Sequence, residues 1–163
     1  MQEEQLKPLI KSKLQLLYID DEPNNLISFK AAFRKDYEIF TAESGAEGRR
    51  ILNSNKINVV LTDQRMPFMT GVEFLESIVN VYPDVIRILI TGFSDIQAVI
   101  DAVNKGQIYH YVQKPWDETY LKNIINNAFE IFRLREENSF MMDQLKISNE
   151  QLEFLLRQDA VNN

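Results

Sequence analysis

The sequence predicts an α/β chain: a doubly wound, five-stranded parallel sheet with helices on both faces, its fifth helix running on into a coiled coil. Three observations predict it. Five short apolar runs alternate with stretches whose apolar residues recur at helical spacing, the pattern of repeated strand–helix units. The runs Val59-Val-Leu61 and Ile86–Ile90, broken only by Arg87, are continuously apolar, as strands covered on both faces must be. No Gly or Pro follows Pro115, so nothing in the sequence stops the last helix.

Residues 1 to about 13 form a polar lead-in, and the first strand follows at Leu14–Ile19. Pro23 opens a helix in its first turn, where a missing N–H costs nothing, and Leu26, Ile27, Phe29, Ala32 and Phe33 supply its apolar stripe. Tyr37–Ala42 is the second strand, and Ser44 caps the helix carrying Ala46, Ile51 and Leu52. Ile57–Thr62 is the third strand. A loop, Asp63-Gln-Arg-Met-Pro-Phe-Met-Thr-Gly71, leads to a helix marked by Val72, Phe74, Leu75, Ile78 and Val79. Pro83 and Asp84 turn the chain into the fourth strand, Val85–Ile90. Ser94 or Asp95 then caps a helix through Ala98, Val99, Ala102 and Val103 that Gly106 ends. The fifth strand is Ile108–Gln113, and the fifth helix begins near Trp116 or Asp117. The resulting division is a globular domain over 14–133 and a helical extension over 134–163.

The 163 residues suffice for one domain with a core and an appendage. A net charge of -6 argues against direct nucleic-acid contact, which needs clustered Lys and Arg. The absence of cysteine excludes disulfides and thiolate metal sites and fits a reducing compartment. No apolar stretch is long enough to span a bilayer, and Met1-Gln-Glu-Glu4 lacks the basic and apolar regions of a signal peptide. The expected location is the cytoplasm, without membrane contact.

Asp20 and Asp21, Asp63, Thr91 and Lys114 each sit where an apolar run ends. In a parallel sheet all carboxyl ends open on one edge, where ligands bind, so these groups gather at a single rim. Asp63 is the candidate nucleophile, a carboxylate able to attack a phosphoryl donor and form an acyl phosphate. Asp20 and Asp21 crowd it with like charge, a cost that a bound Mg²⁺ reverses. Lys114 supplies a point charge and the Thr91 hydroxyl a hydrogen bond to phosphoryl oxygens, with Gly92 leaving room for the donor. Taken singly, each residue has a plainer role: an aspartate after a strand as a turn or cap residue, Asp20-Asp21-Glu22-Pro23 as an acidic helix entrance. Four strand ends in this order make the joint reading the stronger one.

These motifs give the chain its resemblance. From about Leu14 to Phe132 it resembles the receiver domain of bacterial two-component response regulators, a flavodoxin-like fold. The residues that carry it are Asp20-Asp21, Asp63-Gln-Arg-Met-Pro-Phe-Met-Thr-Gly71, Thr91-Gly92 and Lys114-Pro115. The resemblance implies that Asp63 accepts a phosphoryl group from a sensor histidine kinase or phosphotransfer protein. It implies that Asp21, Asp63 and the Arg65 backbone carbonyl ligate Mg²⁺, with Asp20 acting mainly through water, and that the peptide before Pro115 is cis. It also implies a switch, in which phosphate draws Thr91 inward and the Tyr111 ring fills the vacated space, altering the face made by the fourth helix, fifth strand and fifth helix. His110 alternates with Tyr111 and points the other way, in a structural role. Arg65 and Phe93, close to the nucleophile, are expected to limit attack by water on the acyl phosphate. Such a chain is a signalling phosphoacceptor that phosphorylates and dephosphorylates itself, not a metabolic enzyme.

Beyond Arg133 the helix carries a thin apolar line: Leu134, Met141, Leu145, Leu152 and Leu155. Ile131 and Asn138 share its heptad frame and Ser148 interrupts it, which favours a homodimeric coiled coil over a lone exposed helix. Some thirty residues cannot build an output domain. The chain reads either as a fragment leading to a missing output domain, the favoured reading, or as a complete dimerising or docking protein. Two other classes compete. A haloacid-dehalogenase-like phosphohydrolase needs Asp-x-Asp after the first strand, and Asp20-Asp21-Glu22-Pro23 has the wrong spacing. A phosphorylation-independent dimerisation or scaffold module would not need the acidic rim.

Overall fold

The computed structural model describes residues 13–163, apart from Gly106 and the side chain of Phe93. The polar lead-in expected ahead of residue 13, the stop at Gly106 and the shielding role of Phe93 therefore lie outside the described residues. The strands are β1 (Gln15–Ile19), β2 (Glu38–Ala42), β3 (Val59–Asp63), β4 (Ile86–Thr91) and β5 (His110–Gln113). The helices are α1 (Pro23–Phe33), α2 (Gly45–Ser54), α3 (Gly71–Ile78), α4 (Ile96–Asn104) and α5 (Glu118–Asn162). All strand pairs are parallel, in the order β2-β1-β3-β4-β5. This is the predicted doubly wound architecture, with bounds within about two residues of those read from the sequence.

Strand alternation divides the core in two. Leu16, Tyr18, Val59, Leu61, Ile88 and Ile90 point to the face covered by α1 and α5. Leu17, Ile19, Val60 and Leu89 point to the face covered by α2, α3 and α4. On the first face Phe29 is fully buried, its ring 4.3 Å from Tyr18 and 4.8 Å from Phe33. Arg87 is tolerated inside β4 because its guanidinium donates to the carbonyls of Gln107 (2.8 Å) and Val85 (3.1 Å), so no buried donor goes unpaired there.

Local chemistry sets the helix starts. Ser44 accepts from the Glu47 amide (3.2 Å), Thr70 from the Glu73 amide (3.2 Å) and Asp117 from the Tyr120 amide (2.9 Å), three N-caps of the ordinary kind. The start of α4 differs from the expected cap. A 3-10 turn, Phe93–Asp95, precedes it, and the Asp95 carboxylate caps nothing. Arg65 takes both candidates, its Nε donating to Asp95 at 3.1 Å and its terminal nitrogen to the Ser94 hydroxyl.

The two halves of α5 have different tasks. Leu121, Ile124, Ile125, Ala128 and Phe132 bury one face against the sheet. Every residue from Arg133 onward is exposed, including Leu134, Met141, Leu145, Leu152 and Leu155. Among the described residues no helix is long and apolar enough to cross a membrane.

Candidate functional site

The rim is built by strand pairing carried one residue past the strands. The Asp20 amide donates to Ala42 O (3.1 Å), Gln64 to Ile90 O (3.0 Å) and Lys114 to Thr91 O (2.9 Å). Residues following β1, β3 and β5 are thereby fixed by their neighbours although they lie outside the sheet's apolar interior.

Asp20, Asp21 and Asp63 each bring a carboxylate oxygen to within 4.8 Å of the others. Asp20 is fully buried and held by three donors: the Tyr18 hydroxyl at 2.7 Å, Asn25 Nδ2 at 3.1 Å and the Glu22 amide at 3.0 Å. Burial, and then the bond to Asp20, push the Tyr18 phenol far above its ordinary range, so it remains a donor. Asp63 is 7 % exposed. Lys114 Nζ lies 2.7 Å from Asp63 Oδ1 and 4.0 Å from Asp20 Oδ2. Burial raises the Asp63 pKa above the usual carboxylate range; Lys114 opposes the rise, and Asp20 and Asp21 add to it. Three oxygen donors with too little local positive charge suit a hard divalent cation that keeps some of its waters. The Arg65 carbonyl accepts no hydrogen bond among the described residues, so its lone pairs are free for the same ion.

The loop after Asp63 is folded tightly against β3. The Gly71 amide donates to Gln64 O (3.0 Å) and the Val72 amide to Gln64 Oε1 (2.9 Å). Phe68 stands at its tip with φ of 68°, fully exposed, where Met69 N closes on Pro67 O at 2.8 Å. Positive φ is uncommon for a bulky residue.

Thr91 is fully buried, its hydroxyl donating to Gly92 O at 3.1 Å. A Cβ on Gly92 would meet nothing within 4 Å, so the rim is open there. Tyr111, paired with Leu89, is half-buried against the α2–α3–α4 cluster. His110 alternates to the other face, and burial lowers its pKa. The Lys114–Pro115 peptide is cis. The structure thus brings Asp20, Asp21, Asp63 and Lys114 together. It sets Thr91 at the end of the adjoining strand and turns the Arg65 side chain away, onto Asp95.

Four residues that position this site went unread in the sequence: Tyr18 and Asn25 on Asp20, Gln64 in the loop, and Asp95 opposite Arg65. Tyr18 alone left a signal, since period-two alternation puts it on the same strand face as Asp20.

The sequence matches the response regulator receiver domain family over residues 16–126. It is 35% identical over 115 residues to the hydrogenase transcriptional regulatory protein HoxA of Cupriavidus necator, covering 71% of this chain and 24% of that one. The chain therefore spans about a quarter of the length of the curated relatives it matches. A response regulator receiver domain protein from Clostridium thermocellum has the same fold (TM-score 0.70, 36% identity, 74% of this chain and 98% of that one). A structure described as adenylate cyclase from Rhodopirellula baltica also superposes, with a TM-score of 0.77, 28% identity, and coverage of 80% and 98%. Together with the fold and the acidic rim, these matches make the chain a member of the response regulator receiver family.

Proposed function

We propose that this chain is a Mg²⁺-dependent phosphoacceptor switch, and the observation that carries the proposal is the cluster of buried Asp20 and Asp63 with half-buried Asp21, and Lys114 on the Asp63 carboxylate. Asp21, Asp63 and the Arg65 carbonyl would hold the ion, with Asp20 contributing mainly through water. Bound there, Mg²⁺ supplies positive charge that offsets the carboxylates and the incoming phosphoryl oxygens. The Asp63 oxygen attacks phosphorus of a phosphohistidine on a sensor kinase or phosphotransfer protein. The P–N bond breaks, its electron pair leaves on the imidazole nitrogen, and that nitrogen takes up a proton. Lys114 Nζ exchanges its Asp63 bond for one to a phosphoryl oxygen. The Thr91 hydroxyl, whose partner among the described residues is the neighbouring Gly92 carbonyl, turns to another. Its movement opens space for Tyr111, and the face made by α4, β5 and α5 changes with it.

Intact-mass measurement with acetyl phosphate and Mg²⁺ tests this. One phosphoryl increment is expected on the native chain, and none on Asp63→Asn or without Mg²⁺. An increment that persists in Asp63→Asn would overturn the assignment, and turnover of simple phosphomonoesters would point to the phosphohydrolase instead.

For output, we infer that the globular domain over 14–133 acts through the extension over 134–163, which pairs two copies and controls an output domain outside this chain. The relatives' names as transcriptional regulators support such a domain, and the exposed apolar line along α5 supports pairing.

Arg65 links the acceptor loop to the turn before α4. Its guanidinium rests on Asp95 (3.1 Å) and not on Asp63. Asp95→Ala frees it to lie over the acyl phosphate, so hydrolysis should slow. The pair is exposed, worth at most about 1 kcal/mol, which bounds the change at about fivefold. In an Arg65→Ala background the same substitution should change nothing. An equal effect in both backgrounds, read as acyl-phosphate half-life, would remove Arg65 from the account.

A further inference from the structure

At the rim the Lys114 ammonium stands between two buried carboxylates and bonds to one of them. Its Nζ is 2.7 Å from Asp63 Oδ1 but 4.0 Å from Asp20 Oδ2, beyond hydrogen-bond length. Coulomb attraction alone does not dictate that preference. The Asp20 side chain is 0% exposed against 10% for Asp63, so the charge on Asp20 is the less screened of the two.

The acceptor sites of Asp20 account for it. An ionised carboxylate offers about two lone-pair sites on each oxygen. On Oδ2 both are filled, one by the Tyr18 hydroxyl at 2.7 Å and the other by Asn25 Nδ2 at 3.1 Å. Oδ1 accepts from the Glu22 amide at 3.0 Å and keeps one site for water. Lys114 therefore finds no acceptor position on the Asp20 oxygen that lies 4.0 Å from it.

Packing does not require the Tyr18 hydroxyl. The ring lies 4.3 Å from that of Phe29 and the residue is buried. A phenylalanine would fill the same space and bring no polar atom to satisfy. Asn25 reaches the same oxygen from a different element, the first turn of α1, and is itself exposed. Two donors of separate origin thus converge on one carboxylate oxygen.

Resting on the phosphoacceptor reading, we propose that Tyr18 and Asn25 are positioning residues for phosphotransfer: by filling both acceptor sites of Asp20 Oδ2 they hold the Lys114 ammonium on Asp63, beside the place where the phosphoryl group arrives. With either donor removed, the ammonium moves to the vacated site on Asp20. It must then break a bond to a deeply buried charge before it can reach a phosphoryl oxygen.

Tyr18→Phe and Asn25→Ala are prepared in the full 163-residue chain and crystallised without divalent metal alongside the native chain. In both variants Lys114 Nζ should come within about 3 Å of Asp20 Oδ2 and withdraw from Asp63. With acetyl phosphate and saturating Mg²⁺, phosphorylation should slow about tenfold, the factor that one hydrogen bond to a charged group ordinarily carries. In an Asp20→Asn background the neutral amide has no hold on Lys114, so neither substitution should change the rate further. A water in the vacated site with Lys114 still on Asp63 overturns the inference. So does a slowing that persists in the Asp20→Asn background, which would leave the two residues a structural part only. Should Tyr18→Phe fail to fold, Asn25→Ala, at an exposed position, decides by itself. A native chain that takes up no phosphoryl group sinks the phosphoacceptor reading instead, and the position of Lys114 in the metal-free structures still decides this one.

Discussion

Gly71→Ala is expected to destabilise the fold by about 3 kcal/mol, the upper end of what overpacking ordinarily costs. A Cβ at this position would stand 2.3 Å from the Asp63 carbonyl oxygen, 3.0 Å from its carbon and 2.7 Å from Leu89 Cδ1. The nearest atom belongs to the backbone of β3, which is hydrogen-bonded into the middle of the sheet and cannot rotate aside. Relief must come from moving the loop, which breaks the Gly71 N to Gln64 O bond (3.0 Å) and disturbs the residue that carries the nucleophile. Mg²⁺ affinity should fall together with stability. Gly48→Ala is the control. Its Cβ would meet Ile19 Cδ1 at 2.6 Å, the far end of a flexible side chain, and alanine improves a helix interior by about 1 kcal/mol over glycine. Thermal melts should place Gly71→Ala roughly 6–12 °C below the native chain, with Gly48→Ala within a few degrees of it. Equal melting temperatures for the two variants would show that the loop yields easily and is not fixed by contact with β3.

The sequence exposed the sheet because burial on both faces leaves a compositional mark. Val59-Val-Leu61 and Ile86–Ile90 could not be exposed helices, and once the strands were placed, parallel topology brought Asp20, Asp21, Asp63 and Lys114 to one edge. What remained hidden depends on partners distant in sequence. Asp95 reads as a helix cap from its neighbours alone. It serves Arg65, thirty positions earlier, because the β3–α3 and β4–α4 connections emerge side by side from adjacent strands. Gln64 looked like a spacer in the acceptor loop, yet its backbone and side-chain carbonyls fasten the loop's far end. Phe68 shows the same limit from the opposite side: nothing in its chemistry foretells a left-handed, fully exposed phenylalanine. Short-range rules capture strands and caps, and they miss contacts that exist only after the sheet has formed.

Asp63→Asn should raise the melting temperature of the metal-free chain by a few degrees and remove most of the further rise that Mg²⁺ produces in the native chain. The sign comes from the carboxylate's pKa. Burial raises it above its unfolded value, and Lys114 at 2.7 Å only partly offsets that cost. A raised acid binds its proton more readily in the folded state than in the unfolded one, so its contribution favours folding at low pH and is lost as pH rises through the folded pKa. At neutral pH ionised Asp63 therefore opposes folding, and the amide removes that opposition. Lys114, 37% exposed, can turn to water when its partner is neutralised. The stability difference between variant and native chain should shrink as pH falls toward the ordinary carboxylate range, where native Asp63 takes up a proton. Mg²⁺ acts in the reverse direction. An ion at a hundred times its dissociation constant adds about 2.7 kcal/mol to a fold that alone can bind it, and a site deprived of one of its three carboxylates gains far less. Melts across pH with and without Mg²⁺ separate the two effects. A variant less stable than the native chain at neutral pH without metal would mean that the Lys114 pair outweighs the burial of Asp63, and that the charge cluster holds the resting fold together instead of straining it until Mg²⁺ arrives.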